Sequence, residues 1–403
     1  MANCVRRRWR PCGKRSRQDS IPEGTPRSKQ DASAGLGFTR TPSEDDPRRE
    51  PNLLDAIARI APGTDLRQGI DDIIRSHEGA LIVIGDPAEL SFLFSGGIAL
   101  DQPFTPQLLY ELSKMDGAII VNDALSKLAH ANVQLMPDPT IASSETGTRH
   151  RTAERVAKQT DALVISISQQ RSTISLFVGQ CRYQLDAIAD VLAKTNQALA
   201  TLQTYRERFE QVLTRLTALE FQNAVVLDDV IVVLQRAEMT TRMAEEIERD
   251  CVELGSEGRL IRMQLEELVG EVPAEKEAVV ADYLVGIGTT TVGQIVTGLE
   301  SLPYHHLLES DVLIRLLGHP ADVNPLDFTV TPRGYRVLRR IPRLPLGVID
   351  RVVGDLDGLE SIVRASTREL EAVDGVGAVR AREIKEGLRR LQEHNLVDRY
   401  LQL

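Results

Sequence analysis

The feature that most constrains the fold is a change of pattern near Tyr183. Before it, short apolar runs alternate with helical segments, separated by glycine, proline and aspartate. After it, residues 184–270 are rich in helix formers, poor in glycine and proline, and keep a four-residue spacing at Met239, Met243 and Ile247. Such a stretch favours helices over a sheet. The chain has 403 residues, of which 42% are hydrophobic, so it should hold two or three domains of different class.

The first part is predicted to be a mixed-sheet α/β domain. Apolar runs predict strands at residues 80–84, 92–94, 117–121, 133–137, 162–168 and 173–178. Helical spacing predicts helices at residues 53–60, 66–77, 105–115 and 148–159, the third with Thr105 as its cap and Pro106 at its first position. Strands interleaved with helices indicate one domain at about residues 52–180.

The predicted fold class is therefore a multidomain α/β plus all-α protein. We place the α/β domain at residues 51–182, a helical linker or bundle at 183–329 and a C-terminal domain of helical hairpins at 330–403. Residues 1–50 lack periodicity and are predicted to be a disordered polar arm. The stretch from Met1 to Arg17 carries seven Arg or Lys and no acid, so the arm could contact nucleic acid. The alternatives are a solvated tail and a start codon assigned too far upstream.

Composition excludes several classes of protein. The four cysteines form no CxxC pair and no Cys/His cluster, so a reduced cytoplasmic protein without structural zinc is expected. No apolar run approaches the roughly 18 residues of a membrane span, and the basic start has no apolar stretch behind it, unlike a secretory signal. Aromatic residues make up only 4%, which disfavours a base-stacking surface for single strands.

The C-terminal domain carries a glycine hairpin at Val373 to Ala381. This segment resembles the hairpin of a helix-hairpin-helix motif, in which glycines allow close approach to a DNA phosphate and the next helix points its amides at it. A degenerate copy begins at Ile341. Such contacts read the backbone and not the base sequence. The predicted DNA-binding residues are Gly375, Val376, Gly377, Arg380, Arg382 and Lys385.

Two other interpretations of this hairpin stay open. It could be an ordinary αα-hairpin with a glycine turn. It could also belong to a base-excision glycosylase, because Asp398 follows Gly377 at a spacing similar to that of the catalytic aspartate in such enzymes. The second interpretation would require more helices on both sides of the hairpin.

A nucleotide site is predicted at two segments of the α/β domain. Gly147 and Thr148 precede Arg149, His150 and Arg151 at a helix start, which is a favourable arrangement for phosphate. Well upstream of them, Asp116-Gly117-Ala118 lies directly before an apolar run. The alternatives are that Asp116 only caps a turn and that Arg149 and Arg151 form a solvated face.

At these motifs the chain resembles the diadenylate cyclase family. The match extends through residues 135–139, 143–159 and 163–168, and from about residue 52 the whole chain resembles the DNA-scanning members of that family. The resemblance implies that two ATP molecules condense into cyclic di-AMP, with Mg²⁺ or Mn²⁺ as the cofactor. The residues that would bind ATP are Asp116, Gly117, Ala118, Leu135, Met136, Thr148, Arg149, His150, Arg151, Thr152 and Ser168.

The resemblance also implies a role for most of these residues. Asp116 would hold the metal and the attacking 3′-OH, and the backbone at Gly117 would approach the nucleotide closely. Leu135 and Met136 would pack near adenine or ribose. The triphosphate would be held by Thr148, Arg149, His150, Arg151, Thr152 and Ser168. The role of His150 stays open between phosphate donor, positioning residue and general base, whereas Glu154, Arg155 and Lys158 are predicted to be surface or helix-pairing residues.

Assembly and partners are implied in the same way. A product with two equivalent halves requires two cyclase domains face to face, and family dimers assemble into octamers through the helical part. The DNA partner would be a branched duplex such as a Holliday junction, which would place the protein in the cytoplasm at the nucleoid. The alternative functions are a DNA-binding structural or repair protein whose nucleotide domain only senses ATP, and a nuclease or glycosylase.

Overall fold

The computed structural model describes residues 46–286 and 291–401, with side chains up to residue 393. The predicted arm lies outside the described residues except at 46–50. There the prediction of disorder is wrong, because Pro47–Arg49 forms a 3-10 turn capped by Asp46. The Arg48 guanidinium also lies 2.6 Å from Asp250, a contact between distant parts of the sequence that local composition cannot reveal.

The first part is one mixed sheet with helices on both faces. Its helices are α1 (Pro51–Arg59), α2 (Asp65–Arg75), α3 (Pro87–Leu90), α4 (Pro106–Ser113) and α5 (Thr148–Gln159). Its strands are β1 (Ala80–Ile84), β2 (Phe94–Ser95), β3 (Ile98–Pro103), β4 (Ala118–Val121), β5 (Lys127–Leu135), β6 (Leu163–Ser168), β7 (Thr173–Val178) and β8 (Cys181–Gln184). The mixed α/β class is thereby confirmed.

Sheet topology follows the order β2-β5-β4-β1-β6-β7-β8, with β3 also paired to β5. Among the described strands, β1 and β4 pair in parallel and the other pairings are antiparallel. One face of the sheet packs on α1, α2 and α4, and the other face packs on α5. Because both faces are covered, β1 and β4 are continuous apolar runs without alternation, and β6 is buried at every residue except its last, including the polar Ser166.

The middle part consists of helices, as predicted. They are α6 (Ile188–Gln222), α7 (Leu227–Leu254), α8 (Arg259–Val269), α9 (Val272–Tyr283), α10 (Val292–Ser301), α11 (Tyr304–Leu307) and α12 (Ser310–Leu316). The helical pattern is interrupted at Asn223, whose φ of 53° ends α6 in the left-handed conformation. The long α6 and α7 then pack against each other along an aliphatic core.

The last part holds five short to medium helices within the described residues. They are α13 (Tyr335–Arg339), α14 (Leu346–Asp355), α15 (Gly358–Arg364), α16 (Thr367–Ala372) and α17 (Ala378–Leu401). They enclose their own aliphatic core. Asp398 lies in α17, but its side chain is outside the described residues, so the glycosylase alternative stays open.

Several strand predictions need correction. Residues 91–93 form a 3-10 turn and only Phe94 and Ser95 pair as a strand. Strand β3 and the first half of β5 were not predicted, and neither was β8. Strand β3 was missed because it is an exposed edge strand with a register shift beside Asp101, whose φ is 45°. Such a strand shows no apolar alternation.

Candidate functional site

One edge of the sheet gathers most of the predicted nucleotide residues. Strands β1 and β4 are parallel, so both begin at this edge. Strands β5 and β6 run in the opposite direction, so both end there. Asp116 therefore precedes β4 at the same edge at which Leu135 ends β5 and Ser168 ends β6. Asp116 is exposed.

Arg149 reaches this edge from α5. A Cβ at Gly79, the residue before β1, would collide with Nη1 of Arg149 and would lie 3.2 Å from the carbonyl oxygen of Ile167. The guanidinium therefore lies over the start of β1, next to the end of β6. Gly79 leaves the space that this side chain occupies. Its role was missed from sequence, since no motif marks it.

The structure gives a reason for glycine at position 117 that the sequence did not reveal. A Cβ there would collide with the backbone of Asn132 and lie 2.6 Å from the amide nitrogen of Val133. The close approach in the structure is thus between β4 and β5. The exposed Asn132 has a φ of 54° at a register shift in this pairing. An approach of the backbone to a nucleotide at Gly117 stays a prediction.

The three predicted apolar contacts differ in accessibility. Ala118 is 2% exposed and Leu135 is 8% exposed, and both side chains belong to the core beneath α5. They can contribute to a ligand site mainly through their backbone. Met136 is 59% exposed, and its amide donates to the carbonyl of Leu93 at 2.9 Å. Of the three side chains, Met136 is the one that offers an open apolar surface.

The start of α5 offers free amides. Gly147 is the N-cap and makes no side-chain cap bond. The amide of Arg151 donates to the Gly147 carbonyl at 2.8 Å, so the first intrahelical bond leaves the preceding helical amides pointing outward. The Thr152 hydroxyl donates to the carbonyl of Thr148 at 3.0 Å. It is thus engaged within the helix, whereas the Thr148 side chain is exposed.

His150 lies among charges that sequence patterns did not reveal. Burial lowers the pKa of this imidazole. Glu145 opposes that shift, while the cations of Arg182, Arg149 and Arg171 add to it. The ring is therefore neutral at physiological pH and can donate from one nitrogen and accept at the other.

Arg171 and Arg182 were not predicted as site residues, because they lie in the β6–β7 turn and in β8, outside the two sequence motifs. Arg171 lies in the turn after β6, and its amide donates to Oγ of Ser168 at 3.4 Å. The Arg182 Nε on β8 lies 2.5 Å from Oε1 of Glu145. The first turn of α5 is thus flanked by cations from the β6–β7 turn and from β8.

The loop before α5 is fastened to that helix by side chains of the helix itself. Arg155 donates to the Ile141 carbonyl at 2.9 Å and Lys158 to the Ala142 carbonyl at 3.0 Å. Glu154 accepts the Ser143 hydroxyl at 2.5 Å and the Ser144 amide at 3.0 Å. The helix therefore holds the loop that leads into its own first turn.

Glu154 was predicted to be a surface or helix-pairing residue. The helix pairing is confirmed by its contact with Lys158 at 2.7 Å, whereas a surface position is wrong, because the residue is only 7% exposed. Burial alone would raise the pKa of its carboxyl, yet the hydrogen bonds from Lys158 and Ser143 lower it overall. Glu154 is therefore an ionised anchor of the loop.

Two segments of the C-terminal part each place a residue with positive φ three residues before a helix. Gly375 has a φ of 77° three residues before α17, and Arg343 has a φ of 62° three residues before α14. A Cβ at Gly375 would lie 2.5 Å from Nη2 of Arg351, whereas a Cβ at Gly377 would meet no atom within 4 Å. Gly377 thus leaves open space in front of the start of α17.

The other predicted DNA-binding residues divide into two groups. Val376 is 4% exposed and packs in the core, and Lys385 donates to the Val363 carbonyl at 2.8 Å. Arg380 and Arg382 are exposed and fold back on the hairpin, with bonds to the carbonyls of Gly375 at 2.8 Å and Ala378 at 3.2 Å. Contact by the Val376 side chain would require the core to open.

Two searches of the described residues bear on metals and membranes. Within residues 46–286 and 291–401, no group of three or more His, Cys, Asp or Glu is arranged to hold a metal ion by itself. No helix in the same ranges is both long and apolar enough to cross a membrane.

Comparison with known proteins agrees with this architecture. Residues 67–181 match the family model DAC, the nucleotide-binding region of the DisA bacterial checkpoint controller, and residues 185–326 match the model of the DisA linker region. DNA integrity scanning protein DisA of Carboxydothermus hydrogenoformans is 49% identical over 346 residues, covering 86% of this chain and 98% of that protein. DisA of Bacillus pumilus is 45% identical over 353 residues, covering 88% and 98%.

A solved structure matches weakly. DacA from Staphylococcus aureus is 24% identical, covers 35% of this chain and 90% of that chain, and has a TM-score of 0.25, which carries no weight for the fold. The matches to the two DisA relatives, in contrast, cover nearly the whole length of those proteins. The two family models match consecutive segments of this chain. The chain therefore belongs to the DisA family, with that family's DAC nucleotide-binding domain and linker region.

Proposed function

We propose that this chain condenses two ATP molecules into cyclic di-AMP and two pyrophosphates, and that its C-terminal hairpins bind branched DNA. Diadenylate cyclase activity follows from membership in the family. The observation that best supports the site is the convergence at one sheet edge of Asp116, Arg149 and Ser168. A carboxylate, a cation and a hydroxyl at one place suit phosphoryl chemistry.

The chemistry requires two identical steps. In each, a ribose 3′-oxygen forms a bond to an α-phosphorus, the bond from that phosphorus to the bridging oxygen breaks, and pyrophosphate leaves. We assign the 3′-hydroxyl to Asp116, whose carboxylate accepts its hydrogen bond and lowers the cost of losing the proton. Arg149 and the free amides at the start of α5 would hold the phosphates. His150, neutral because of burial and nearby cations, would orient a phosphate oxygen and add no charge.

A divalent metal fits this donor set. Magnesium in nucleotide enzymes is held by one or two carboxylates together with substrate phosphates. Asp116 is an exposed carboxylate at the sheet edge, so it would hold Mg²⁺ or Mn²⁺ jointly with the triphosphate. The ion would supply charge neutralisation at the transferring phosphate.

The accessible position of the site supports a face-to-face dimer. Asp116 is exposed, and the exposed apolar side chains Phe92, Ile98 and Met136 lie on or beside β2, β3 and β5. A second copy across a two-fold axis would cover them and bring the second ATP opposite the first. We propose that such dimers assemble further into octamers through the helical part.

The catalytic assignment is tested by one substitution with a matched control. Asp116→Asn keeps the shape and removes the charge, and we expect cyclic di-AMP production from ATP and Mn²⁺ or Mg²⁺ to fall at least about 100-fold. Asp161→Asn changes another exposed aspartate, located just before β6 at the opposite edge, and should leave the rate unchanged. Undiminished synthesis by the Asp116 variant would refute the assignment. ATP binding by wild-type protein without product would favour the nucleotide-sensing alternative.

The DNA assignment is tested at Gly377. A Cβ there meets nothing in the chain, so Gly377→Ala should leave folding intact and obstruct only a phosphate approaching from outside. We expect weaker binding of a four-way junction and unchanged binding by Gly354→Ala, where a Cβ also meets nothing. Equal junction affinity in the two variants would contradict DNA binding at this hairpin.

A further inference from the structure

We propose that Arg182 is a positioning residue for the ATP site: its ion pair with Glu145 ties the phosphate-binding end of α5 to β8, the strand that continues into the long helix α6. The inference rests on the proposed function, because it assigns a role within the same nucleotide site. Nothing in the sequence motifs marks Arg182, which lies in a short polar strand.

Strand pairing places Arg182 on the correct face of the sheet. Arg182 is directly opposite Phe177 in the β7–β8 register. Phe177 is 1% exposed and belongs to the core cluster that includes residues of α5. Because directly paired residues share a face, Arg182 lies on the α5 side, at the outer strand. From there its Nε lies 2.5 Å from Oε1 of Glu145, in an ion pair that lacks hydrogen-bond alignment.

Glu145 is the residue through which this contact can act on the site. Its carbonyl accepts from Nε of Arg151 at 3.3 Å, and its amide donates to Oγ of Ser143 at 3.2 Å. Two residues later comes Gly147, the N-cap of α5. The backbone of Glu145, like the preceding loop, is held by α5, whereas its side chain is paired with Arg182 of the sheet. The ion pair therefore fixes the helix start relative to the sheet edge that carries Asp116.

Charge gives the pair a second effect. The Glu145 side chain is only 12% exposed, and its carboxylate is close enough to His150 to influence that imidazole. Without Arg182, this carboxylate would face an incoming triphosphate as an uncompensated negative charge. Arg182 is 47% exposed, so solvent reduces the effect, and we expect a change of about three- to tenfold in ATP affinity.

The connection beyond β8 makes this contact mechanically relevant. Only a short link separates Gln184, the end of β8, from Ile188, the start of α6. The 35 residues of α6 extend over roughly 50 Å, and the far end contacts the C-terminal helices through Asn223 and Glu360 at 2.9 Å. A shift of β8 with α6 would therefore reach Glu145 directly.

Enzyme kinetics on the full-length protein test the proposal. Arg182→Gln should raise KM for ATP about three- to tenfold and change kcat less than twofold, while Arg182→Lys, which keeps the cation, should restore most of the affinity. The control is Lys194→Gln, which removes a different ion pair near the β8–α6 connection, with Asp186 at 2.6 Å. An Arg182→Gln variant with wild-type KM, or one with reduced kcat at unchanged KM, would overturn the inference.

Two further measurements separate this inference from the proposed function. Equilibrium binding of a non-reacting ATP analogue should weaken in Arg182→Gln by the same factor, whether or not the wild type forms product. By NMR, Arg182→Gln should raise the pKa of His150 and Glu145→Gln should lower it, because the two side chains act on that imidazole with opposite sign. Arg149 and Arg171, two further cations that lower this pKa, are unchanged in both variants. Shifts in the same direction would indicate a general structural disturbance and contradict the proposal.

Discussion

Arg336 is a position at which a single change should strongly destabilise this protein. Its side chain is fully buried in α13, where it pairs with Glu220 at the end of α6. The Asp282 carboxylate accepts the amides of Gly334, Tyr335 and Arg336 at 2.6–3.0 Å. One buried cation thus compensates at least two buried carboxylates where the helical part meets the C-terminal part.

The energetic consequence follows from that imbalance. Arg336→Met keeps much of the volume and leaves the buried Glu220 without its cation, with only the Tyr283 hydroxyl still donating to it at 2.9 Å. This loss costs about 3–5 kcal/mol of the free energy of unfolding. Burial, together with the charge of Glu220, already raises the pKa of Asp282 to about 7. A raised carboxyl pKa stabilises the fold at low pH and loses that contribution as pH rises through about 7. Removing the cation strengthens this trend, so the variant should be most unstable above pH 7 and partly recover near pH 5.5.

Urea unfolding followed by circular dichroism measures this effect. We expect the midpoint of Arg336→Met to fall by roughly 1–2 M at pH 8, with a smaller loss at pH 5.5. Arg340→Met is the control, because Arg340 is 32% exposed and pairs with Glu275 at 3.3 Å, a contact worth about 0–1 kcal/mol. If both variants unfold alike, or if the Arg336 variant is equally destabilised at both pH values, the reasoning is refuted.

Three further predictions concern the nucleotide domain. Gly117→Ala should destabilise it by about 2 kcal/mol or more, because the new Cβ strikes the backbone of Asn132; a thermal scan that matches wild type would contradict this. In Gly79→Ala the new Cβ would collide only with the flexible end of Arg149 and would lie close to the carbonyl oxygen of Ile167. We therefore expect near-normal stability but about tenfold weaker ATP binding. Unchanged ATP binding would argue against Arg149 as a ligand of ATP. Glu154→Gln should loosen the loop before α5 and raise KM for ATP. Because the pKa of Glu154 is lowered, its contribution to the free energy of unfolding is present above pH 4.5 and is lost on acidification below that value. Wild type and Glu154→Gln should therefore converge in stability at low pH. A stability difference that stays constant with pH would contradict the role of Glu154 as an anchor of the loop.

The elements found from sequence are those whose burial imposes a pattern. Strand β4 was located because it is buried on both faces, and helix α5 was located because it begins at a basic segment. Strands β3 and β8 were missed, since each is short, partly exposed and rich in polar residues. Their existence depends on pairing with β5 and β7, which is long-range information that a local window does not contain.

The site shows the same division. Asp116 and the start of α5 were found because their residue types suit phosphate chemistry in a local motif. Gly79 and Arg182 were missed, because each acquires its role from a neighbour that is distant in sequence. Glu154 was predicted to be a surface or helix-pairing residue, because a charged residue in a helix is usually exposed. The pairing with Lys158 was foreseeable from the i,i+4 spacing, but only the loop folded over Glu154 reveals its burial.

The measurement that tests the central claim most directly is the stoichiometry of the reaction. Wild-type protein is incubated with ATP and Mn²⁺, and cyclic di-AMP is quantified by mass spectrometry beside enzymatically detected pyrophosphate. The proposed mechanism predicts two pyrophosphates for each cyclic di-AMP, and at least about 100-fold less of both products from Asp116→Asn. Bound ATP without pyrophosphate release, or products from the variant at the wild-type rate, would contradict the proposal that this sheet edge joins two nucleotides.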